Sequence, residues 1–388
     1  MQSTGSHLPL YNRLLARPEL AFAAITFILS VGIVLLNISA YGWNFSAMFF
    51  MPAEQLMALD RSLLGSNLVG IIDGGYDGSS YYLASVDPWG RLGLVQAGHH
   101  LRVLTPWLTH LLSFGNIALI PGVYLTLNVS AMTIGGYLFA KLFRKRHGEV
   151  SLIAMALFLN IGILTAFKYN LSEPMGLCLL LAGFLSEQRR KLWVAALFFA
   201  ASVMARETGV LLLGLLFLHR CYRREWQSAA VPLLAFAAFL LLKIYFEWIM
   251  GFKAPMPLFS LTSIYTNAIS LVDFSAPAMD LAQSLLFIPF LIYIVWIISV
   301  LWRQQPKSNS WIFALVVYFV WIGMFNPTVA WTNITGIGRH LAFALALVPL
   351  CIPDRMVAKR LAYGSLVFSG VFLVWFVMSY HHPFIIIN

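Results

Sequence analysis

LAFAAITFILSVGIVLLNISAY, residues 20–41, holds no charged side chain. As a helix it is long enough to cross the hydrocarbon core of a bilayer, which takes about 20 apolar residues. Arg13 and Arg17 precede it, as basic residues precede a secretory signal. The run is longer than a signal h-region and shows no small-residue cleavage site, so it reads as a retained first helix. Outward from it, similar runs recur at Ile117–Lys141, Val150–Phe167, Pro174–Ser186, Leu192–Ala205, Thr208–His219, Ala229–Met250, Ala282–Trp302, Trp311–Asn326, His340–Ile352 and Leu361–Tyr380. The sequence therefore predicts an all-α polytopic membrane protein with about eleven transmembrane helices, in one domain over residues 1–388. The short segments need neighbours or a thinned, wet region to sit in.

Composition agrees. Of 388 residues, 60% are hydrophobic, 15% aromatic and 10% charged, with a mean hydropathy of +0.81. Soluble domains carry about 25% charged residues, so a soluble enzyme is excluded. A disordered chain needs the opposite composition, and an outer-membrane barrel would alternate in short segments. The net charge of +10 could suggest a nucleic-acid binder. Its basic residues, however, lie in short clusters between the apolar runs, which is the signature of membrane topology.

With a cytoplasmic amino terminus, Arg13 and Arg17, Lys141 to Arg146, Arg189 to Lys191, Arg220 to Arg224, Arg303 with Lys307, and Arg355 to Arg360 all fall inside. The carboxyl terminus is then expected outside, and a bacterial cytoplasmic membrane is the expected location. None of Cys178, Cys221 and Cys351 falls in an outward loop, so no disulfide is expected. Two outward loops are long, 42–116 and 251–281. Loops beyond about 12–15 residues are usually functional or disordered, and the acids that could act on a substrate sit on this side. No internal repeat is visible.

The densest polar cluster is in the first loop: Asp73-Gly74-Gly75-Tyr76-Asp77-Gly78-Ser79-Ser80-Tyr81-Tyr82-Leu83-Ala84-Ser85-Val86-Asp87-Pro88. Gly78 beside Asp77 lets backbone pass close to a ligand. Residues 79–85 suit a short interfacial helix anchored by Tyr81 and Tyr82, and Asp87-Pro88 would close it. The plainer reading is that Asp and Gly merely make turns.

The string Tyr76-Asp77-Gly78-Ser79-Ser80-Tyr81-Tyr82-Leu83-Ala84-Ser85-Val86-Asp87-Pro88, just after a first transmembrane helix, resembles the GT-C superfamily of integral-membrane glycosyltransferases. It is most similar to bacterial relatives of the dolichyl-phosphate-mannose-dependent, PIG-V-like mannosyltransferases, with Val86 interposed before the second Asp. The resemblance continues at Arg102-Val103-Leu104-Thr105-Pro106, Leu171-Ser172-Glu173-Pro174 and Ala205-Arg206-Glu207-Thr208-Gly209, and so covers roughly the first 220 residues. It implies a GT-C-like fold, a donor sugar on a polyprenyl phosphate, an essential acid in the first outer loop, and a glycan, lipid or protein acceptor at the outer face of the membrane.

The chemistry follows independently. A sugar hydroxyl is a poor nucleophile, and a carboxylate within hydrogen-bond reach can take its proton. A leaving phosphate needs positive charge but no general acid, so one acid and one or two cations suffice, unlike the two carboxylates of a hydrolase. Asp77 is assigned as the base, with inversion at the anomeric carbon. Tyr76, Tyr81, Tyr82, Asp87 and Glu173 are assigned to substrate binding with it. Glu173, before Pro174, could equally serve a helix dipole.

Arg206, Arg102 and Arg339 are the phosphate candidates, because an arginine at membrane depth is costly and marks function by default. Each has a second reading: an ion pair with Glu207 for Arg206, an interfacial anchor for Arg102, and snorkelling from a helix start for Arg339. Lys243 and Glu247, four apart, should pair within the seventh helix. His99 and His100 lack partners at metal-ligand spacing. Some GT-C enzymes use a divalent ion and others none, so neither a metal nor another cofactor is assigned. A non-enzymatic reading, a transporter or flippase of lipid-linked or envelope glycan precursors, explains buried charges and broken helices too.

Overall fold

The computed structural model describes residues 17–59, 64–72, 74–94, 101–251, 278–304, 309–323, 334–378 and 382–387. Among these, the helices of eight or more residues are α1 Pro18–Ser39, α2 Gly78–Val86, α3 Leu104–Leu112, α4 Ile120–His147, α5 Ile161–Lys168, α6 Glu173–Gln188 and α7 Leu192–Ala205. They continue with α8 Thr208–Tyr222, α9 Trp226–Ile244, α10 Ala278–Arg303, α11 Ser310–Gly323, α12 Ile334–Cys351 and α13 Arg355–Met378. Five helical stretches, built on α1, α4, α9, α10 and α13, are long and apolar enough to cross a membrane. They leave large apolar side chains uncovered: Ile28, Leu36, Leu241, Ile292, Val295 and Val367 are each more than half exposed. Water would penalise such a surface and lipid does not. The chain is a helical membrane protein.

The segment expected at Val150–Phe167 is not one helix. It breaks into Met155–Phe158 and α5, separated by Leu159 and Asn160. Asn160 supplies the reason: its Oδ1 accepts from Gly162 N and Ile163 N, capping α5, while its Nδ2 donates to Leu157 O and to Ala342 O of α12. A capping side chain satisfies the freed backbone and so tolerates a break in an apolar interior. Gly162 then meets α12 so closely that an added Cβ would lie 2.0 Å from Gly338 O. That contact sets the height of the next residue, Arg339. Helix α12 starts earlier than expected, so Arg339 lies inside it and not at its start.

The first loop is helical where expected, and α2 is enclosed by the rest of the protein. All nine of its residues are buried. Gly78 opens it because an added Cβ would sit 2.2 Å from Phe49 O and 2.6 Å from Tyr169 O. The described residues are mostly helical, as expected of an all-α protein, with a small sheet beside the helices. Strands β1 (Met51–Pro52), β2 (Leu68–Ile71) and β3 (Phe384–Ile387) form a sheet in which β1 and β2 run parallel and β3 pairs antiparallel to β2, Val69 opposite Ile386. Residues 384–387 thus share an end with the first loop, and an even number of expected segments lies between them, as a shared side requires.

At the other end the expected inner segments meet. Arg144 pairs with Glu19 at 2.6 Å, Arg220 with Glu187 at 2.5 Å, and Arg146 donates to Cys351 O at 2.9 Å. Lys243 and Glu247 pair as expected. Cys178, Cys221 and Cys351 are free thiols.

Sidedness is testable at two exposed positions, Ser66 and Gln227. In a cysteine-free background, Ser66→Cys should react with an impermeant maleimide in intact cells and Gln227→Cys only after permeabilisation. The reverse pattern would invert the orientation.

Candidate functional site

Four separated stretches deliver charge to the first-loop end of the bundle. Asp77 precedes α2, Glu173 begins α6, Arg206 and Glu207 form the break between α7 and α8, and Arg339 projects from α12. Arg102, just before α3, completes the group. Local structure explains each placement. Asn170 takes a left-handed backbone (φ 52) and its Oδ1 accepts from Asn128 Nδ2, which also donates to Leu171 O, so the turn before Glu173 is pinned to α4. Arg206 leaves α7 in an extended conformation with its N–H still bonded to Ser202 O, which swings its side chain inward.

The result is a network of three carboxylates and three guanidiniums. Arg339 Nε donates to Glu173 Oε1 at 3.0 Å, and its Nη1 and Nη2 both meet Asp77 Oδ2 at 3.1 Å. Arg206 Nη2 lies 3.4 Å from Glu173 Oε1, and its Nη1 lies 3.9 Å from Glu207 Oε1. Arg102 grips Glu207 with two prongs, Nε to Oε2 at 2.7 Å and Nη2 to Oε1 at 2.6 Å. This fork-on-carboxylate geometry is the strong form of the pair.

Two tyrosines bind the halves together. The Tyr81 hydroxyl accepts from Arg102 Nη1 at 2.9 Å, from Arg206 Nη1 at 3.4 Å and from Ser172 Oγ at 3.3 Å. Tyr76 accepts from Arg339 Nη1 at 2.9 Å, lies under that guanidinium (5.1 Å from its ring centroid), and is backed by the stacked Tyr169 ring at 3.9 Å.

Electrostatics follow from burial against pairing. Burial pushes the Tyr76 and Tyr81 phenols up, with the nearby arginines opposing it only in part, so both stay protonated. For Glu207, burial acts upward, but Arg102 and Arg206 overcome it and hold the carboxyl well below the usual carboxylate range. Its stabilisation is therefore complete above the ordinary carboxylate pKa and is lost only as pH falls through the depressed folded value.

Exposure separates the members. The side chains of Glu173 and Arg206 are 0% and 1% exposed, Arg339 9%, Arg102 11%, Glu207 22% and Asp77 39%. Asp77 is thus the open carboxylate of the group. Arg206 is the most enclosed of the three arginines, between Glu173 and Glu207, while Arg339 and Arg102 lie nearer the open side.

Two expected residues stand apart. Tyr82 follows Tyr81 on a helix, where neighbours point about 100° apart. It packs edge-on against Phe49 and lines a separate groove of about 720 Å³ beside Trp43, Phe45 and Ile117. Burial pushes its phenol up to about 12. Asp87 is 3% exposed and accepts from the backbone N–H groups of Arg91 and Leu92 at 2.8 and 2.9 Å, so its carboxylate folds the loop after α2. Asp73, His99 and His100 lie outside the described residues.

Sequence reasoning gave Glu207 only as a partner for Arg206 and passed over Tyr169, Asn128 and Asn160. The asparagines carried a signal, an amide inside an apolar run; Tyr169 carried none. Compared with known proteins, the chain matches no family model, no curated sequence and no solved structure.

The network separates stability from chemistry. Glu173→Gln leaves two buried arginines short of a counter-charge and should cost about 3–5 kcal/mol, read as a lowered melting temperature in detergent. Asp77→Asn, at the open side, should change stability by no more than about 1 kcal/mol. Equal losses in the two variants would contradict the division.

Proposed function

We propose that the protein is a glycosyltransferase that moves a sugar from a polyprenyl-phosphate donor to an acceptor at the outer face of the membrane, inverting the anomeric centre, with Asp77 as general base. The observation that carries the reading is the unequal opening of the network: a carboxylate that reaches the open side, held at 3.1 Å by a nearly buried guanidinium, Arg339. A base must reach an incoming hydroxyl. The cation for the departing phosphate must instead be preorganised in a dry setting, where it is worth most. Arg339, with Arg102 beyond Tyr81, supplies that charge. Among the described residues, no second open carboxylate joins the network, which suits a leaving group that needs no proton.

The resemblance of the Tyr76–Pro88 string to the GT-C glycosyltransferases supports the same reading, as does the mostly apolar setting, from which a prenyl chain can approach through lipid. One observation favours the transporter alternative, the interior break at Asn160, since discontinuous helices mark many carriers. Yet the charges gather at one end of the bundle, which suits chemistry at a membrane face better than passage across it.

The purified protein, given lipid-phosphate sugars and membrane-extract acceptors, should release prenyl phosphate. Asp77→Asn should lower that rate by about 10²–10⁴ while the melting temperature holds. An undiminished rate would remove Asp77 from the mechanism. A related steric test uses Gly78→Ala, which drives a methyl into two backbone carbonyls and should cost about 1–3 kcal/mol. It should also depress the rate by displacing Asp77.

A further inference from the structure

At rest Asp77 and Arg339 are engaged with each other, so a base and a phosphate ligand are both occupied. The manner of holding Arg339 resolves this. Its Nε is fixed by the wholly buried Glu173, and its plane rests on Tyr76, itself backed by Tyr169. The Nη edge is the side that meets Asp77. A guanidinium anchored along one side can change partner along the other without moving.

We propose that Asp77 and the departing phosphate use this Nη edge in turn, so that proton transfer to Asp77 hands Arg339 to the leaving group. The inference rests on the glycosyltransferase reading. In the step, an acceptor oxygen forms the new bond to the anomeric carbon and its proton passes to the Asp77 carboxylate. The anomeric C–O bond breaks, and its electron pair stays on the phosphate oxygen. The lipid phosphate goes from a monoanionic diester to a dianionic monoester while Asp77 goes from −1 to neutral. One unit of negative charge thus crosses from one side of Arg339 to the other, and the total is unchanged. The three carboxylates and three arginines sum to zero, so a monoanionic donor gives the loaded site one net negative charge, and the step moves that charge balance across Arg339 without changing its total. The substrate class it suits is a lipid phosphodiester of a sugar.

The groups that act on Asp77 are Arg339 on α12, the preceding Tyr76 and Arg102 further off, with Glu173 across Arg339 and Tyr81 bonded to Arg102. Tyr169 and then Lys168 lie behind Tyr76. Asp77 is the carboxylate of this set on the open side.

Binding tests the exchange without turnover. Two probes are used in detergent, a short prenyl monophosphate, dianionic well above its second pKa of about 6, and its monoanionic methyl diester. Wild-type protein should lose affinity for the monophosphate as pH rises from 7.5 to 9, by up to about tenfold per unit if each bound dianion brings one proton to Asp77. Affinity for the diester should stay flat. Asp77→Asn, a neutral stand-in for the protonated acid, should bind the monophosphate at least about tenfold tighter at pH 8 and lose the pH dependence. Adding Arg339→Lys, which keeps a charge opposite Glu173 but lacks a two-pronged edge, should erase most of the gain.

Equal monophosphate affinity in wild type and Asp77→Asn, or a gain that survives Arg339→Lys undiminished, would overturn the exchange. If the double variant fails to fold, the wild-type pH slope decides alone, and a flat profile overturns the proposal. Failure of both probes to bind wild-type protein would instead remove the glycosyltransferase reading, and the exchange with it.

Discussion

The Glu173 carboxylate, without solvent exposure and flanked by Arg206 and Arg339, is the interaction on which the first-loop end of the molecule depends. An ionised carboxylate in so dry a place is tolerable only when paired, and removing one partner costs far more than the pair is worth. Its two guanidiniums come from the α7–α8 break and from α12, so one buried charge ties three distant parts of the chain to the same point. Everything more exposed is arranged around it: Tyr81 bridges Arg206 to Arg102, and Arg339 presents its free side to Asp77.

That arrangement explains why the interior is built from interrupted helices. A continuous span would carry its polar residue past the level of the site. The cap at Asn160 starts α5, and the left-handed turn at Asn170 separates its end from α6, so that these ends fall where they are useful. The backbone groups freed at each break are taken up by side chains, the condition under which non-helical backbone survives away from water. Close packing does the rest. Gly162 on Gly338, and Gly78 against Phe49 and Tyr169, leave no room for a side chain, so the register of α12 and of α2 is set by contact between backbones.

Much of the fold was legible because apolar length and basic clusters report directly on lipid and sidedness. Leu192–Ala205 was bounded by Lys191 and by Arg206, and the helix occupies that range. Val150–Phe167 misled because hydropathy counts residues and does not see continuity; Asn160 weighs little in an average and decides the local geometry. The stretch Phe384–Ile387 escaped notice because its strand partner lies in the first loop. In the site, residue type and depth pointed to Asp77, Glu173, Arg102, Arg206 and Arg339, but pairing is tertiary. Arg206 stood beside Glu207 in sequence and sits nearer Glu173 in space, while Glu207 is gripped by Arg102. Tyr81 and Tyr82 looked equivalent until the helix sent them to opposite tasks.

The separation of 166 positions between Glu173 and Arg339 also orders events during biogenesis. Each helix bearing one of these charges can be threaded into the bilayer with a single ionic group near its end. Glu173 and Arg206 arrive early and can neutralise each other. Arg339 arrives only after α8, α9, α10 and α11 have been made, so Glu173 gains its second guanidinium when α12 docks. Chains stalled short of α12 would leave Glu173 with one of its two arginines and expose an incomplete core, which is a mark that membrane quality control can recognise.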